Sequence, residues 1–171
     1  MTEPSPAELS EYQEQVRAFL REQAPKPPKF KLPDSFMEVG TDAQFEYLRD
    51  WQAKVYQAGY LGLAWPKEYG GSGMPHVFQH IVDAEMARAS VPFMINVIGL
   101  FWAGPTILKL GSEAQKQRYI PKMLSAEQIW CQGFSEPEHG SDLASAQTTA
   151  TRDGDAYVLH GTKTWTSLGA Y

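Results

Sequence analysis

Apolar residues recur at helical spacing through the first two thirds of this 171-residue chain, and the pattern changes after Ala126. That shift restricts the fold to a helical part followed by a β part. Ser5 is a good N-cap, Pro6 suits the first helical position, and Glu8 completes a capping box. Leu9, Tyr12, Val16, Phe19 and Leu20 then share one face of a helix expected to stop before Pro25. The proline- and lysine-rich spacer from Ala24 to Gly40 is expected to run as extended, polyproline-like chain. A second helix is expected from Thr41 or Asp42, with Phe45, Leu48, Trp51 or Gln52, and Val55 on its inner face and Gly59 as its stop. The segment Tyr60 to Pro75 reads as loop. A third helix covers about Pro75 to Ala89, and a more apolar fourth covers about Met94 to Leu110, ending at Gly111. The fifth starts at Ser112, with Gln115 as capping-box partner, and reaches about Leu124.

Past Ala126, Ile129–Phe134 reads as a strand, and threonine-rich Ala146–Arg152 as another. Asp153-Gly154 is a hairpin signal, with Ala156–Leu159 returning. His160-Gly161 suggests another turn before a strand over Thr162–Thr166. The expected fold class is α+β: an all-α domain over residues 1–126, then the first strands of a β-barrel-like domain over residues 127–171. The last strand ends almost where it starts. A few short strands with open edges make a poor independent unit, so the sequence is expected to be cut within a domain.

Composition narrows the function. Hydrophobic residues make up 43% of the chain, which argues for a packed globular protein. The balance of 15 basic and 20 acidic residues, without a basic stripe, argues against nucleic-acid binding. One cysteine, Cys131, excludes an internal disulfide framework and suits a reducing, cytoplasmic setting. The most apolar stretch, Val91–Leu108, is broken by Pro92, Asn96, Gly99, Gly104 and Pro105, whereas a membrane span needs roughly 20 mostly apolar residues. It reads as a buried helix, and no membrane span is expected.

Three local patterns invite chemistry. His76 and His80 have the i, i+4 spacing of a metal pair, but Val77 stands where a metalloprotease needs glutamate. No third ligand is evident. One buried and one surface histidine, with no metal, is the better reading. Gly70-Gly71-Ser72-Gly73 lacks a P-loop ending and reads as a sharp turn. Gln132–Asp142 is dense in polar groups. Ser135 with His139 as base would be a hydrolase reading, disfavoured because catalytic partners rarely sit so close in sequence and no GxSxG elbow is present. A ligand-binding polar loop and an ordinary turn remain open on these residues alone.

Phe134-Ser135-Glu136-Pro137, Gly140-Ser141-Asp142, the hairpin Gly154-Asp155 with Tyr157-Val158, and Gly161-Thr162-Lys163-Thr164-Trp165-Thr166-Ser167 follow one another in order. Together they resemble the acyl-CoA dehydrogenase family, with its [ST]EPxxGSD segment, GDxY hairpin and GxKxWIT-type strand. Upstream, Leu63-Ala64-Trp65-Pro66 with Glu68-Tyr69-Gly70-Gly71, and Leu110-Gly111-Ser112 with Gln115-Lys116, Tyr119-Ile120-Pro121 and Leu124, resemble that family too. The resemblance runs over almost the whole chain from about Ser5.

That resemblance implies a helical domain, a middle β domain and a C-terminal helical bundle, with FAD between the last two and in contact with a second subunit. It implies an oxidoreductase of fatty-acid and lipid metabolism acting on a CH–CH bond: α,β-dehydrogenation of an acyl-CoA thioester, with electrons passed to an electron-transfer flavoprotein. By matching positions, Gln132, Phe134, Ser135 and Ser141 belong to the first flavin-binding segment, and Trp165, Thr166 and Ser167 to the second. Trp165 would pack on the isoalloxazine, Ser135 and Ser167 would bond its polar edge, and Ser141 would also touch the acyl-CoA. Phe134 departs from a smaller aliphatic residue, Glu138 and His139 from a small pair, and Ser167 from threonine. The family's catalytic glutamate lies in the C-terminal bundle, so no residue here, Glu136 included, matches it. A homo- or hetero-oligomer is implied, either a dimer or a tetramer. The alternatives are a non-catalytic partner subunit of a hetero-oligomeric dehydrogenase, or a flavin monooxygenase acting on a non-CoA substrate.

Overall fold

A computed structural model describes residues 3–171. The chain forms two compact units, one ending at Trp130 and one spanning Cys131–Tyr171. The first unit is helical. Helix α1 (Pro6–Gln23) opens on a reciprocal cap: Glu8 N donates to Ser5 Oγ at 3.3 Å, and Ser5 N donates to Glu8 Oε2 at 2.7 Å. Thr41 caps α2 (Asp42–Gln57), and Pro75 precedes α3 (His76–Arg88). A π-helical turn (Gly99–Ala103) leads into α4 (Gly104–Leu110), and a Ser112–Gln115 capping box opens α5 (Glu113–Leu124). Short 3-10 turns at Phe36–Glu38 and Lys67–Tyr69 punctuate the spacer and the loop.

Helix α1 packs on α3, and α5 packs on α2 and α4. One apolar cluster joins Val16 and Leu20 of α1 to Trp51 and Val55 of α2, Leu63, and Val82 of α3. A second joins Tyr69, Leu100, Ile120, Met123 and Leu124. Burial of each such aliphatic side chain stabilises the unit by roughly 1.5–3 kcal/mol. On α2, Trp51 and Gln52 are both inward, and Trp51 Nε1 donates to Pro92 O at 2.9 Å.

Two buried amides organise this core. Gln52 and Asn96 are both fully buried. Gln52 Nε2 donates to Met123 O at 2.9 Å, while its Oε1 accepts from Asn96 N at 2.9 Å. Asn96 Nδ2 donates to Met123 O at 3.0 Å and Gln128 O at 2.9 Å, and its Oδ1 accepts from Trp130 N at 2.9 Å. These bonds tie the end of α5 and the chain beyond it to the helical core. Gly99 makes room for them, because a Cβ there would lie 2.4 Å from Asn96 Oδ1.

The structure departs from the sequence reading at three points here, and the network bears on the first and the last. The fourth helix starts at residue 97 rather than near Met94. It is also not buried throughout, since Phe101, Trp102 and Leu110 are exposed. Ile129–Phe134 is extended but forms no strand. Its polar backbone meets side chains instead of a neighbouring strand: Trp130 N meets Asn96, and Phe134 O meets Lys163. No helix among the described residues is long and apolar enough to cross a membrane.

Glu85 carries the buried charge of the unit, at 3% exposure. Its carboxylate accepts from Gln13 Nε2 at 2.7 Å, from Arg17 Nε at 3.0 Å and Nη2 at 2.9 Å, and from Arg88 Nε at 2.8 Å. The Arg17 guanidinium is the largest cause that lowers its pKa from 4.5 to about 2.

Two outcomes are expected. Asn96→Ala, which strands buried polar groups and opens a cavity, should lower unfolding free energy in urea by roughly 3 kcal/mol. The folded carboxyl of Glu85 titrates below its unfolded value, so its stabilisation is complete above pH 4.5 and is lost as pH falls toward about 2. Thermal unfolding followed by circular dichroism should show that acid decline, and Glu85→Gln should flatten it while lowering stability at neutral pH.

Candidate functional site

The second unit is built on one hairpin. Strands β1 (Thr149–Asp153) and β2 (Ala156–His160) pair antiparallel, with Asp153 opposite Ala156 and Thr149 opposite His160. Gly154 and Asp155 form the two-residue loop, one position later than the Asp153-Gly154 signal suggests, with Gly154 at φ 60°. Every residue of both strands is exposed. The chain leaves β2 through Gly161, which abuts Thr148. A Cβ at Gly161 would lie 2.2 Å from Thr148 Oγ1 and 2.9 Å from its Cα.

Residues 133–136 lie beside residues 163–164. Thr164 N donates to Ser135 O at 2.9 Å. Lys163 Nζ donates to Phe134 O at 3.0 Å and to Glu136 Oε1 at 2.8 Å. Glu136, only 6% exposed, also accepts from Gln147 N at 2.6 Å and Thr148 N at 2.9 Å. The Lys163 ammonium, helped by these two backbone N–H groups, holds the Glu136 carboxyl well below the usual carboxylate range. Sequence reasoning missed Glu136 and Lys163 as structural partners. The available signal was one acid and one base, each fixed inside one of the two motifs.

Among the expected site residues, Phe134 and Ser135 sit at this junction, with Gln132 on the extended chain just before it. Trp165, Thr166 and Ser167 follow Thr164 directly. Ser141 lies on an exposed bend outside the junction, ahead of a 3-10 turn at Leu143–Ser145. The strand expected over Thr162–Thr166 does not form. Trp165 adopts a left-handed backbone at φ 55°, which ends the extended run, and Ser167 N turns back to Trp165 O at 3.1 Å. Such a conformation is uncommon for a large side chain and clusters at ligand sites. Trp165 is 88% exposed, Phe134 is 57% exposed, and Ser135, Thr166 and Ser167 are half-buried. Open aromatic faces beside hydroxyl groups suit a flat heteroaromatic ring with a polar edge, so the donor set fits a flavin.

The competing patterns resolve differently. Within the Gly70–Gly73 turn and its neighbours, Gly70 N, Gly71 N, Ser72 N and Gly73 N donate to Lys67, Pro66, Gly62 and Trp65 carbonyls, so they are not free to cradle a phosphate. His76 and His80 are both exposed, not one buried and one exposed, and no metal-holding cluster occurs among the described residues. His139 closes a turn by backbone bonds to Glu136, and its Nε2 is buried without a hydrogen-bond partner. It therefore holds no serine hydroxyl through that atom. Gly161→Ala should force Thr148 away and loosen the hairpin. Faster amide exchange across residues 149–160 is the expected outcome, with the helical unit unaffected.

Residues 6–127 match the acyl-CoA dehydrogenase N-terminal domain, and residues 131–171 match the acyl-CoA dehydrogenase middle domain. The acyl-CoA dehydrogenase IpdE1 of Mycobacterium tuberculosis is 43% identical over 124 residues, covering 72% of this chain and 32% of that protein. Mitochondrial isovaleryl-CoA dehydrogenase of Pongo abelii is 34% identical over 171 residues, covering 94% of this chain and 37% of that protein. Among solved structures, the Tcur3481-Tcur3483 steroid ACAD aligns with a TM-score of 0.70 at 35% identity, covering 96% of this chain and 41% of that chain. The ChsE4-ChsE5 complex from Mycobacterium tuberculosis aligns at 0.66 and 32% identity, covering 98% and 40%. The chain thus spans about a third of the length of these curated relatives. By the match of both domains, it belongs to the acyl-CoA dehydrogenase family, a family of flavoprotein oxidoreductases.

Proposed function

We propose that this chain supplies the helical domain and the first half of the flavin site of an FAD-dependent acyl-CoA dehydrogenase. The observation that carries the reading is the junction that sets Phe134 and Ser135 beside the segment bearing an exposed Trp165. Bound FAD would accept the hydride in α,β-dehydrogenation of an acyl-CoA thioester. Trp165 offers a flat apolar face to the ring. Ser135, Thr166 and Ser167 bring hydroxyl groups to its polar edge, where donors stabilise negative charge. Gln132 and Phe134 complete the first segment, and Ser141 serves both flavin and acyl-CoA. Electrons pass on to an electron-transfer flavoprotein, and a cytoplasmic setting suits the single cysteine.

The group that removes the α-proton lies outside residues 1–171 in this reading. Glu136 is a poor base because Lys163 and two backbone amides stabilise its charged form. A second reading makes the chain part of a non-catalytic subunit in a hetero-oligomer. The ChsE4-ChsE5 complex among the aligned structures favours it. Native mass spectrometry separates the two readings: a second, unlike chain carrying the proton-abstracting glutamate supports the latter.

Anaerobic titration with acyl-CoA tests the function. The full-length polypeptide, loaded with FAD, should lose its oxidised flavin absorbance. The 171-residue chain alone should not, and turnover by it would overturn the placement of the base. Trp165→Ala should weaken FAD binding by about tenfold or more, the effect of losing one well-placed aromatic contact.

A further inference from the structure

We infer that Glu136 and Lys163 are a positioning pair that sets one flavin-facing segment against the other. The inference rests on the flavin reading above. The two segments are far apart in the chain, with Lys163 29 positions after Phe134, and the polar bonds at their junction are few. Lys163 supplies two of them, to Phe134 O and to Glu136 Oε1. Glu136 reaches further, because its two oxygens also take the N–H groups of Gln147 and Thr148 where the chain enters the hairpin. One carboxylate therefore joins three stretches: the first flavin segment, the approach to β1, and the start of the second segment.

Neither residue of the pair is among those expected to touch the flavin, yet Ser135 precedes Glu136 and Trp165 lies two residues beyond Lys163. At metal sites, losing a partner that holds a ligand from behind typically costs about 10–100-fold in affinity or activity, and a group that holds a flavin-facing segment acts by the same positioning. Trp165 also needs outside support for its left-handed backbone. The Thr164–Ser135 bond fixes the chain just before it, and Leu168, three residues on, is buried. Moving Lys163 would release Trp165 from its register with Ser135 without removing any flavin contact.

The pair is more than two opposite charges. The Gln147 and Thr148 N–H groups require an acceptor at position 136, so exchanging the charges as Glu136→Lys with Lys163→Glu should not restore the site.

The test uses the full-length protein with and without FAD, in the wild type and in the Glu136→Gln, Lys163→Met, Lys163→Arg and charge-exchanged forms. In the flavin-free wild type, the Gln147, Thr148 and Thr164 amides should be protected from exchange. Glu136→Gln should speed exchange at Gln147 and Thr148, and Lys163→Met at Thr164, by about tenfold or more in each case. Both variants should weaken FAD binding about tenfold and shift the flavin midpoint potential, with Lys163→Arg close to wild type. Unprotected amides in the wild type would overturn the pair, whichever variants fold. So would equal potentials and affinities in wild type and Lys163→Met, or rescue by the charge exchange. Failure of the wild type to bind FAD would remove the flavin reading, while amide exchange would still decide whether the pair joins the segments.

Discussion

A nearly buried carboxylate must be bonded on each oxygen or it destabilises the fold around it, and Glu136 meets that demand by gathering three stretches of chain. The smaller unit has little else to hold it. Its two strands are exposed along their whole length, and Leu168 is one of its few buried side chains. With so little apolar burial, directional bonds decide the local path of the chain. The close approach of Gly161 to Thr148 and the two-residue turn at Gly154 then fix the hairpin on which those bonds depend.

The helical unit meets a similar demand with neutral groups inside a much larger core. Gln52 and Asn96 satisfy the backbone at the end of α5 and hold the following chain as far as Trp130. Trp130 is the last residue before the smaller unit begins. Gly99 is required for a packing reason, because the π-turn backbone must come within contact of the Asn96 side chain.

The helices were legible because caps and apolar spacing are local. Ser5 with Glu8, and Ser112 with Gln115, mark their helix starts in sequence and in space. The inner face of α2 was legible for the same reason. The strands over Ile129–Phe134 and Thr162–Thr166 were misread because β-rich composition does not supply a pairing partner. Their backbone groups bond to Asn96, Lys163 and Ser135 instead, and each of those residues is distant in sequence. Exposure of Phe101 and Trp102 was likewise invisible to a periodicity argument, which reports apolar character and not what covers it. At the site, Phe134 and Ser135 lie beside Lys163 and Thr164 while Ser141 stays on an exposed bend, and the motifs carried no sign of the ion pair at that junction. The left-handed backbone at Trp165 had no sequence signal at all.

The central claim is the proposal that residues 132–135 and 165–167 form one face of a flavin site. A crystal structure of the full-length protein, isolated with its own flavin, tests it most directly. The isoalloxazine ring is expected against the Trp165 indole, with Ser135 and Ser167 at its polar edge and the Glu136–Lys163 pair intact behind it. A flavin bound away from these two segments, or a site occupied with the pair broken, would contradict the claim.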